Sequence, residues 1–440
     1  MAAARPPLAL VSASGGSSAC SACAVAALKR STSALATGHK RVVVVGAGIV
    51  GLATARSLIA RGYRVDIIEK ETRVASHQTG RNSGVMHTGV YYLPGSAKAR
   101  HCADGLVRMR AFCDEHDIAW RACGKVIVAT GAGELDALAR LHERAVANGV
   151  RVERVGAERL GELEPNVEGV AALHVPDAAI VDYGAVARAL AAELEASGAT
   201  LHLGRPLRVL AADPLCVDLG GEAVEPDLLV NCAGLFSDRV ARSLGAETPA
   251  QIVPFRGDYF ALTPDAESLC SMLVYPVPDP AFPFLGVHFT PQIGGGVTVG
   301  PNAVLAFARE GYTLSTVHPA DLWETLRYPG FRRLAAKHWK EGVAEMWRSA
   351  NRAAFARAAA RLIPSLKPEQ LVRAASGVRA QALLPSGALA DDFLFVDSES
   401  AMHVCNAPSP AATSSLSLGE HIAARAEARL SRHNDHRLSP

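Results

Sequence analysis

The clearest indication of the fold is the segment Val42-Val43-Val44-Val45-Gly46-Ala47-Gly48-Ile49-Val50-Gly51. Its four valines predict a strand buried in a sheet that is covered on both faces. Apolar residues at helical spacing follow as far as Gly62, and Arg64–Glu69 is typical of a second strand. A strand, a Gly-x-Gly-x-x-Gly turn, a helix and a second strand together predict a β-α-β unit that binds a dinucleotide.

Each glycine of the turn has a separate role in such a unit. Gly46 permits the tight turn, Gly48 lets the backbone approach a diphosphate, and Gly51 lets helix and strand pack closely. The diphosphate then lies against the positive end of the helix that Ile49 begins. Glu69 ends the second strand, where a carboxylate bonds a ribose 2′-hydroxyl and repels a 2′-phosphate. FAD and NAD therefore remain as cofactors, with a purely structural unit as the alternative.

A second polar, glycine-rich loop at 77–89 favours FAD over NAD. It runs His-Gln-Thr-Gly-Arg-Asn-Ser-Gly-Val-Met-His-Thr-Gly soon after the second strand. A flavin dinucleotide is long enough to need such a loop for its far diphosphate and its ring system.

The charge balance points to two unlike parts of the chain. The 440 residues carry 45 Lys+Arg and 43 Asp+Glu, but no acidic residue precedes Asp66. Residues 1–40 are rich in Ala, Ser and positive charge, which predicts a transit peptide, with a disordered extension as the alternative. Without the five positive charges of residues 1–41, 40 Lys+Arg face 43 Asp+Glu, so attraction of the whole protein to nucleic acid is not expected. No stretch is apolar enough for a spanning helix.

The nine cysteines indicate a reducing compartment rather than a disulfide scaffold. Only Cys20 and Cys23 form a C-x-x-C pair, and it falls inside the predicted transit peptide. Because neither a second pair nor histidines at ligand spacing accompany it, we expect no metal site.

The order of predicted elements gives an α/β fold class with interleaved domains. We expect a Rossmann-like FAD-binding domain from 41–118, 184–245 and 372–432, and a mostly antiparallel α+β substrate domain from 119–183 and 246–371. Residues 433–440 would form a tail. The segment 254–300 is rich in Pro, Gly and aromatic residues with short alternating stretches, as antiparallel strands are. Helices are predicted at 104–115, 134–148, 183–197 and about 413–432, and helical patterning at 322–362.

These motifs resemble the FAD-dependent oxidoreductases of the D-amino acid oxidase superfamily. Longer strings narrow the resemblance to the L-2-hydroxyglutarate dehydrogenase family, over essentially all of 40–430. They include Gly89-Val-Tyr-Tyr, Val253-Pro-Phe-Arg-Gly-Asp-Tyr-Phe, Tyr275–Pro280, Pro283–Thr290, Gly300-Pro-Asn-Ala, Gly377-Val-Arg-Ala-Gln-Ala and Asn406–Thr413. Two departures are Ala380, where superfamily members often have Pro, and the glycine-heavy stretch Pro291–Gly296.

Oxidation of a 2-hydroxy acid needs a carboxylate clamp and a base beside the flavin. Arg379 lies in the motif that supplies the substrate-carboxylate arginine in related oxidases; a surface salt bridge is its alternative role. His87 is the first candidate base because its loop should reach the flavin ring, although it could instead bond a flavin carbonyl or the backbone. His288, on a predicted strand, is the second candidate base or an ordinary sheet residue.

Further residues are assigned to the distal substrate carboxylate and to the cofactor. Arg256 and Tyr259, with Lys98 behind them, are candidates for that second carboxylate, although Arg256 could simply brace the domain interface. The cofactor candidates are Gly46, Gly48, Ile49, Gly51, Glu69, Thr79, Arg81, Asn82, Ser83, Ala233, Gly234, Pro410, Ala411 and Thr413. The resemblance places Ala233-Gly234 at the diphosphate and 406–413 over the pyrimidine end of the flavin.

The resemblance implies FAD-dependent oxidation of L-2-hydroxyglutarate to 2-oxoglutarate by hydride transfer to flavin N5. It also implies a mitochondrial location and electron transfer to the quinone pool or another carrier, with peripheral membrane association conceivable. The alternatives are a related flavoprotein acting on another small amino acid or hydroxy acid, and an FAD-bound structural or tRNA-associated protein.

Overall fold

The computed structural model describes residues 40–278 and 286–437, with side chains up to residue 432. Residues 1–39 of the predicted transit peptide, with the Cys20–Cys23 pair, lie outside the described residues, as do 279–285 and 438–440. Residues 433–437 of the predicted tail continue the last helix, which runs to Arg437.

The helices and strands follow one another in short segments along the chain. The helices are α1 (Ile49–Ile59), α2 (Ala97–Glu115), α3 (Leu135–Ala147), α4 (Ala157–Leu163), α5 (Tyr183–Ala196), α6 (Ser237–Ser243), α7 (Pro319–Arg327), α8 (Pro329–Ala350), α9 (Arg352–Ala359) and α10 (Ser415–Arg437). The first strands are β1 (Arg41–Val45), β2 (Arg64–Ile68), β3 (Val85–Met86), β4 (Trp120–Ala122), β5 (Lys125–Ala129), β6 (Glu153–Gly156), β7 (Ala171–Val175), β8 (Ala179–Val181), β9 (Thr200–His202), β10 (Arg208–Ala212), β11 (Leu215–Asp218) and β12 (Ala223–Val224). The remaining strands are β13 (Leu228–Asn231), β14 (Gln251–Gly257), β15 (Phe260–Leu262), β16 (Leu273–Pro276), β17 (His288–Pro291), β18 (Val297–Gly300), β19 (Val304–Leu305), β20 (Leu371–Arg373), β21 (Gly377–Leu383), β22 (Leu394–Asp397) and β23 (Ala401–Asn406).

A six-stranded sheet carries the predicted nucleotide-binding unit. Its order is β22-β23-β13-β1-β2-β9, and every neighbouring pair is parallel except β22–β23. The valines of β1 are buried on both faces, as a central parallel strand requires. The strands come from the start, middle and end of the chain, which gives the Rossmann-like domain of the predicted fold class.

The last helix of the chain completes this domain. α10 packs along α1, where a Cβ added at Gly419 would lie 2.5 Å from the carbonyl carbon of Ala53. Leu418 and Ile422 share a buried cluster with Leu52 of α1. The domain therefore depends on contacts between residues more than 350 positions apart.

An eight-stranded sheet forms the main wall of the second domain. Its order is β20-β15-β18-β17-β16-β5-β7-β6, and only the β16–β5 pair is parallel. A smaller sheet, β19-β14-β21, is formed by residues between 251 and 383. The predicted fold class, a Rossmann-like domain with an inserted and mostly antiparallel domain, is confirmed. The exact domain boundaries stay a prediction.

Two details differ from the sequence-based expectation. The helix predicted at 104–115 begins earlier, at Ala97, because the Ser96 hydroxyl caps it by accepting a hydrogen bond from the Ala99 N–H at 3.2 Å. The glycine-heavy stretch after Pro291 is the turn of an ordinary β17–β18 hairpin, with Gly295 and Gly296 at φ of 90° and 84°.

Candidate functional site

The glycine turn between β1 and α1 has the geometry that its sequence predicts. Gly46 has a φ of 103°, and a Cβ there would lie 2.6 Å from the carbonyl oxygen of Cys232 on the neighbouring segment. A Cβ at Gly51 would lie 2.0 Å from the Gly46 carbonyl oxygen, so this position brings helix and strand together. Gly48 begins α1 without a side-chain cap and lines a cavity. The helix therefore offers its positive end to a ligand there.

Glu69 lies at the edge of the same cavity, directly after β2. Its carboxylate accepts hydrogen bonds from the backbone N–H of Ala47 at 2.8 Å and of Glu71 at 2.9 Å. These bonds fix the carboxylate beside the glycine turn. This is the arrangement that a ribose-binding carboxylate requires.

The loop after β2 contributes in two different ways. The Thr79 hydroxyl accepts from the Ile49 N–H at 3.0 Å, and so ties the loop to the start of α1. Asn82 binds within the loop, donating to Thr79 O at 2.6 Å and accepting from Gly84 N–H at 2.7 Å. Arg81 stacks over the ring of Tyr312 at 4.2 Å. These side-chain contacts fix the position of the loop at the cavity.

Thr413 joins the end of the chain to the loop that carries His87. Its hydroxyl accepts from the His87 backbone N–H at 3.1 Å and lies 2.8 Å from the Tyr183 hydroxyl. The segment 406–413, Ala233 and Gly234 line the cavity from the opposite side. These contacts bring the predicted pyrimidine-end segment and the candidate base together.

One cavity of about 560 Å³ is lined by almost every site residue that was predicted from the sequence. Its lining includes Gly46, Gly48, Ile49, Glu69, Thr79, Arg81, Asn82, Ser83, Ala233, Gly234, Pro410, Ala411 and Thr413 from the cofactor set. His87, Lys98, Tyr259, His288 and Arg379 line it as well. Gly51 and Arg256 do not. The elongated lining, the bare helix end and the tight glycine turn fit a dinucleotide.

Both candidate histidines are neutral at physiological pH. Burial, with a smaller contribution from Lys125, lowers the pKa of His87 to about 3 and likewise that of His288. His288 Nδ1 lies 2.9 Å from the Gly286 carbonyl oxygen, so Nδ1 donates and Nε2 is left as an acceptor. His87 Nδ1 is buried without a hydrogen-bond partner among the described residues, and Nε2 lies 3.4 Å from Ser409 Oγ.

Arg379 reaches the same end of the cavity from β21. Its guanidinium donates to the Asn302 carbonyl oxygen at 3.2 Å, and burial lowers its pKa from the ordinary value. Tyr259 is close enough that the positive charge of Arg379 opposes the rise that burial causes in the phenol pKa. A cation and a neutral hydroxyl donor are thus available to an anionic ligand.

Arg256 does not line the cavity, contrary to the expectation that it binds the distal substrate carboxylate. The side chain is 1% exposed, and its guanidinium pairs with the carboxylate of Asp258, with Nε 2.7 Å from Oδ1. The Ser349 hydroxyl lies between Arg256 and that carboxylate. Arg256 therefore braces the protein interior and does not line the cavity, since its partner is a protein carboxylate.

One group of side chains has the composition of a metal site. Atoms of Glu71, His77 and Glu310 lie within 4.8 Å of one another. The ammonium of Lys70 lies among them, 2.7 Å from Glu71 Oε1 and 2.9 Å from His77 Nε2. Lysine charge thus already balances these carboxylates, and we assign no metal to the group.

Sequence reasoning missed Tyr275 and Lys125. The Tyr275 ring stacks on the His288 ring at 3.9 Å and lines the cavity. The Lys125 ammonium lies 4.2 Å from the centre of the Tyr275 ring, and the side chain is 1% exposed. The available signal was a lysine that begins an otherwise apolar strand, Lys125–Ala129.

Comparison with known proteins identifies the class. A family model described as FAD dependent oxidoreductase matches residues 41–425, and the chain belongs to that family. The fold is shared with the L-alpha-glycerophosphate oxidase of Mycoplasma pneumoniae, solved with FAD bound, at a TM-score of 0.70 and 20% identity over 88% of this chain and 94% of that one. FAD is therefore the cofactor of this fold and site.

Two curated relatives narrow the family further. The chain is 45% identical to the L-2-hydroxyglutarate dehydrogenase of Indibacter alkaliphilus over 86% of its own length and 96% of the relative. It is 44% identical to the mitochondrial L-2-hydroxyglutarate dehydrogenase of Caenorhabditis elegans, over 88% and 92% respectively. The protein is thus an FAD-dependent dehydrogenase of the L-2-hydroxyglutarate dehydrogenase family.

Proposed function

We propose that this protein oxidises L-2-hydroxyglutarate to 2-oxoglutarate, with the C2 hydride passing to flavin N5 and the hydroxyl proton to a histidine. The observation that supports it is one shared cavity. Its lining joins the dinucleotide-binding residues to Arg379, Tyr259, His87 and His288. When bound, FAD supplies the hydride acceptor, and the remaining tasks fall to these side chains.

Arg379 is the proposed clamp for the carboxylate next to the reacting carbon. A guanidinium can hold a carboxylate through two parallel hydrogen bonds, which fixes the direction in which C2 faces. Tyr259, whose phenol stays protonated because burial raises its pKa, is the proposed donor beside it. Arg379 lies on β21, which pairs with β14, and Tyr259 follows β14, so this small sheet would orient the substrate carboxylate.

His288 Nε2 is the proposed acceptor of the hydroxyl proton, ahead of His87. A base works best when a second hydrogen bond fixes its orientation and tautomer. The bond between His288 Nδ1 and Gly286 O does this, whereas His87 has only the long contact with Ser409. His87, held through its backbone by Thr413, is then the proposed hydrogen-bond partner of the flavin or of the substrate hydroxyl.

Anaerobic flavin reduction tests this proposal directly. The holoenzyme is mixed with L-2-hydroxyglutarate, its D enantiomer or L-glutamate, and the loss of flavin absorbance is followed. Only the L-hydroxy acid should bleach the flavin and yield 2-oxoglutarate. Bleaching by the amino acid alone would refute the substrate and favour a related amino acid oxidase. No bleaching by any acid tested would favour a non-catalytic FAD protein.

We also propose that α8 attaches the protein to an anionic membrane, where electrons would pass to a quinone. No helix among the described residues is long and apolar enough to cross a membrane. Trp339, Val343 and Trp347 of α8 lie on one helical face and are each 60–62% exposed. The helix carries five Lys or Arg residues and two Asp or Glu residues. Exposed tryptophans beside lysines and arginines fit the interface of anionic lipids.

Vesicle sedimentation tests the surface formed by Trp339, Val343 and Trp347. Wild type should sediment with vesicles of anionic and neutral lipid and less with neutral vesicles. Replacing both tryptophans by Ala should release the protein without changing flavin reduction. Val107→Ala is the matched control, because this exposed residue lies on α2. Equal sedimentation of wild type and the double variant would refute the surface.

A mitochondrial location is proposed from the relatives. The worm relative is named as mitochondrial, and residues 1–40 have the composition of a transit peptide. A fluorescent protein fused to residues 1–45 should enter mitochondria. Accumulation in another compartment would contradict this proposal.

A further inference from the structure

Lys125 is a lysine buried in the protein interior. It begins β5 and is 1% exposed, and no carboxylate in the described part of the chain forms an ion pair or hydrogen bond with it. Its neighbours include the thiols of Cys102 and Cys123, which stay protonated because burial raises their pKa values. An unpaired ammonium is costly to bury, so such a lysine is expected to meet an anion in the working state of the protein.

The ammonium lies immediately behind the wall of the substrate end of the cavity. It lies between two tyrosine rings, 4.2 Å from the centre of Tyr275 and 5.3 Å from that of Tyr91. Tyr275 lines the cavity and stacks on His288. Lys125, Tyr275 and His288 come from the adjacent strands β5, β16 and β17 of one sheet. Lys125 pairs with Leu273, so it lies diagonally across from Tyr275.

Tyr275 also has unused hydrogen-bonding capacity. Its hydroxyl interacts with that of Thr290, but neither hydroxyl makes a hydrogen bond of standard geometry with any of the described residues. The other cations that line the cavity are already engaged. Lys98 pairs with Asp391 at 3.1 Å, Lys70 pairs with Glu71 at 2.7 Å, and Arg81 stacks over the Tyr312 ring at 4.2 Å. Arg256 lies outside the lining and pairs with Asp258. Arg379 is assigned to the first carboxylate. Lys125 is therefore the positive charge best placed for a second one.

We propose that Lys125 and Tyr275 recognise the distal carboxylate of a dicarboxylate substrate, with the tyrosine hydroxyl donating to it and the lysine supplying the positive charge. This rests on the proposed function and deepens it. Arg379 would then hold any 2-hydroxy acid, whereas Lys125 and Tyr275 would reject acids that end in a methyl group, because those acids leave the ammonium unpaired.

The pH dependence of the wild-type enzyme offers a test without mutation. Burial lowers the pKa of Lys125 to about 8, so its charge is present at pH 7 and lost above that value. The groups around it do not titrate there: burial raises the pKa values of Tyr91, Tyr275, Cys102 and Cys123 and lowers those of His87 and His288 to about 3. Preference for a dicarboxylate should therefore fall between pH 7 and pH 9.

The decisive experiment compares two ligands of equal length. Binding of 2-oxoglutarate and of 2-oxopentanoate to the holoenzyme is measured by calorimetry, with KM values for the matching L-hydroxy acids. Lys125→Met should weaken 2-oxoglutarate binding about 10-fold or more and change 2-oxopentanoate binding by less than about 3-fold. Lys125→Arg should restore part of the preference, and Tyr275→Phe should lose part of it. Lys367→Met is the control, since it removes an exposed lysine that does not line the cavity.

Each outcome bears on the proposal. Equal weakening of both ligands, or of neither, overturns it, and so does an unchanged preference at pH 9. If Lys125→Met does not retain FAD, the wild-type pH dependence and Tyr275→Phe decide instead. Failure of the proposed reaction would look different: wild type would not reduce its flavin with L-2-hydroxyglutarate, whatever its preference between the two oxo acids.

Discussion

Gly48 and Gly51 of the turn between β1 and α1 have different roles, so we predict different effects when each is replaced by alanine. Gly51 allows helix and strand to pack, and Gly48 allows the backbone to approach the cofactor. A Cβ at Gly51 would lie 2.0 Å from the Gly46 carbonyl oxygen, where ordinary contacts begin at 3.4 Å. The backbone would have to move by about 1.4 Å, in the range where overpacking costs about 2–3 kcal/mol. For a chain of this length, that cost lowers the midpoint of thermal unfolding by about 3 °C.

At Gly48 the same added carbon would need its neighbour to move by only a few tenths of an ångström. Its nearest neighbour is Thr79 Oγ1 at 3.3 Å, and φ is −78°, which any residue adopts. Gly48→Ala should therefore shift the unfolding midpoint of the apoprotein by less than about 1 °C. The methyl group would instead enter the cavity where backbone should approach the diphosphate, and FAD affinity should fall about 10-fold or more.

Two measurements separate these effects. Thermal unfolding of FAD-free protein followed by circular dichroism reports on packing, and FAD titration followed by fluorescence quenching reports on the cofactor site. Gly51→Ala should lower the unfolding midpoint, and Gly48→Ala should mainly raise the dissociation constant for FAD. Equal destabilisation by the two variants, or unchanged FAD affinity in Gly48→Ala, would refute the assignment of the two glycines.

Three further predictions follow from single side chains. Arg379→Met should raise the KM for L-2-hydroxyglutarate about 100-fold and leave FAD content unchanged, because a carboxylate loses a charged hydrogen-bonding partner; steady-state kinetics checks this. Since the pKa values of His87 and His288 are lowered to about 3, both histidines stay neutral at pH 5, and histidine protonation should not reduce kcat/KM between pH 7 and pH 5; a fall centred near pH 6.5 would contradict it. Burial raises the pKa of Glu324, but Arg309, Arg239 and Arg242 outweigh burial and lower this pKa to about 2. Glu324→Gln should therefore reduce the free energy of unfolding by about 1–2 kcal/mol at pH 7 and by progressively less from pH 4.5 towards pH 2, measured by urea unfolding.

Local sequence predicted the cofactor site well because its determinants are local. Glycines that need positive φ or close approach, a carboxylate at a strand end and a polar loop soon afterwards all act within about 40 residues of Gly46. Their placement around one cavity follows from the β-α-β geometry alone.

The substrate end was less predictable, since strands distant in sequence assemble it. Lys125 and Tyr275 come together because β5 pairs with β16, and the sequence of neither strand predicts this pairing. Arg256 shows the opposite case. Asp258 follows it by two residues, and side chains two apart on extended chain lie on one face, so their ion pair was readable from the sequence. Sequence alone also gives no means of ordering His87 and His288, because the hydrogen bond from His288 to Gly286 appears only in the folded chain.

The position of α10 has a consequence for biogenesis. Strands β22 and β23, Thr413 and α10 come from the last 50 residues, and they supply one edge of the six-stranded sheet and the segment that ties down His87. A ribosome-bound chain that lacks them has the glycine turn but only four of the six strands. We therefore expect FAD to be captured only after this segment has been synthesised, and added FAD to stabilise the folded protein that has completed the sheet.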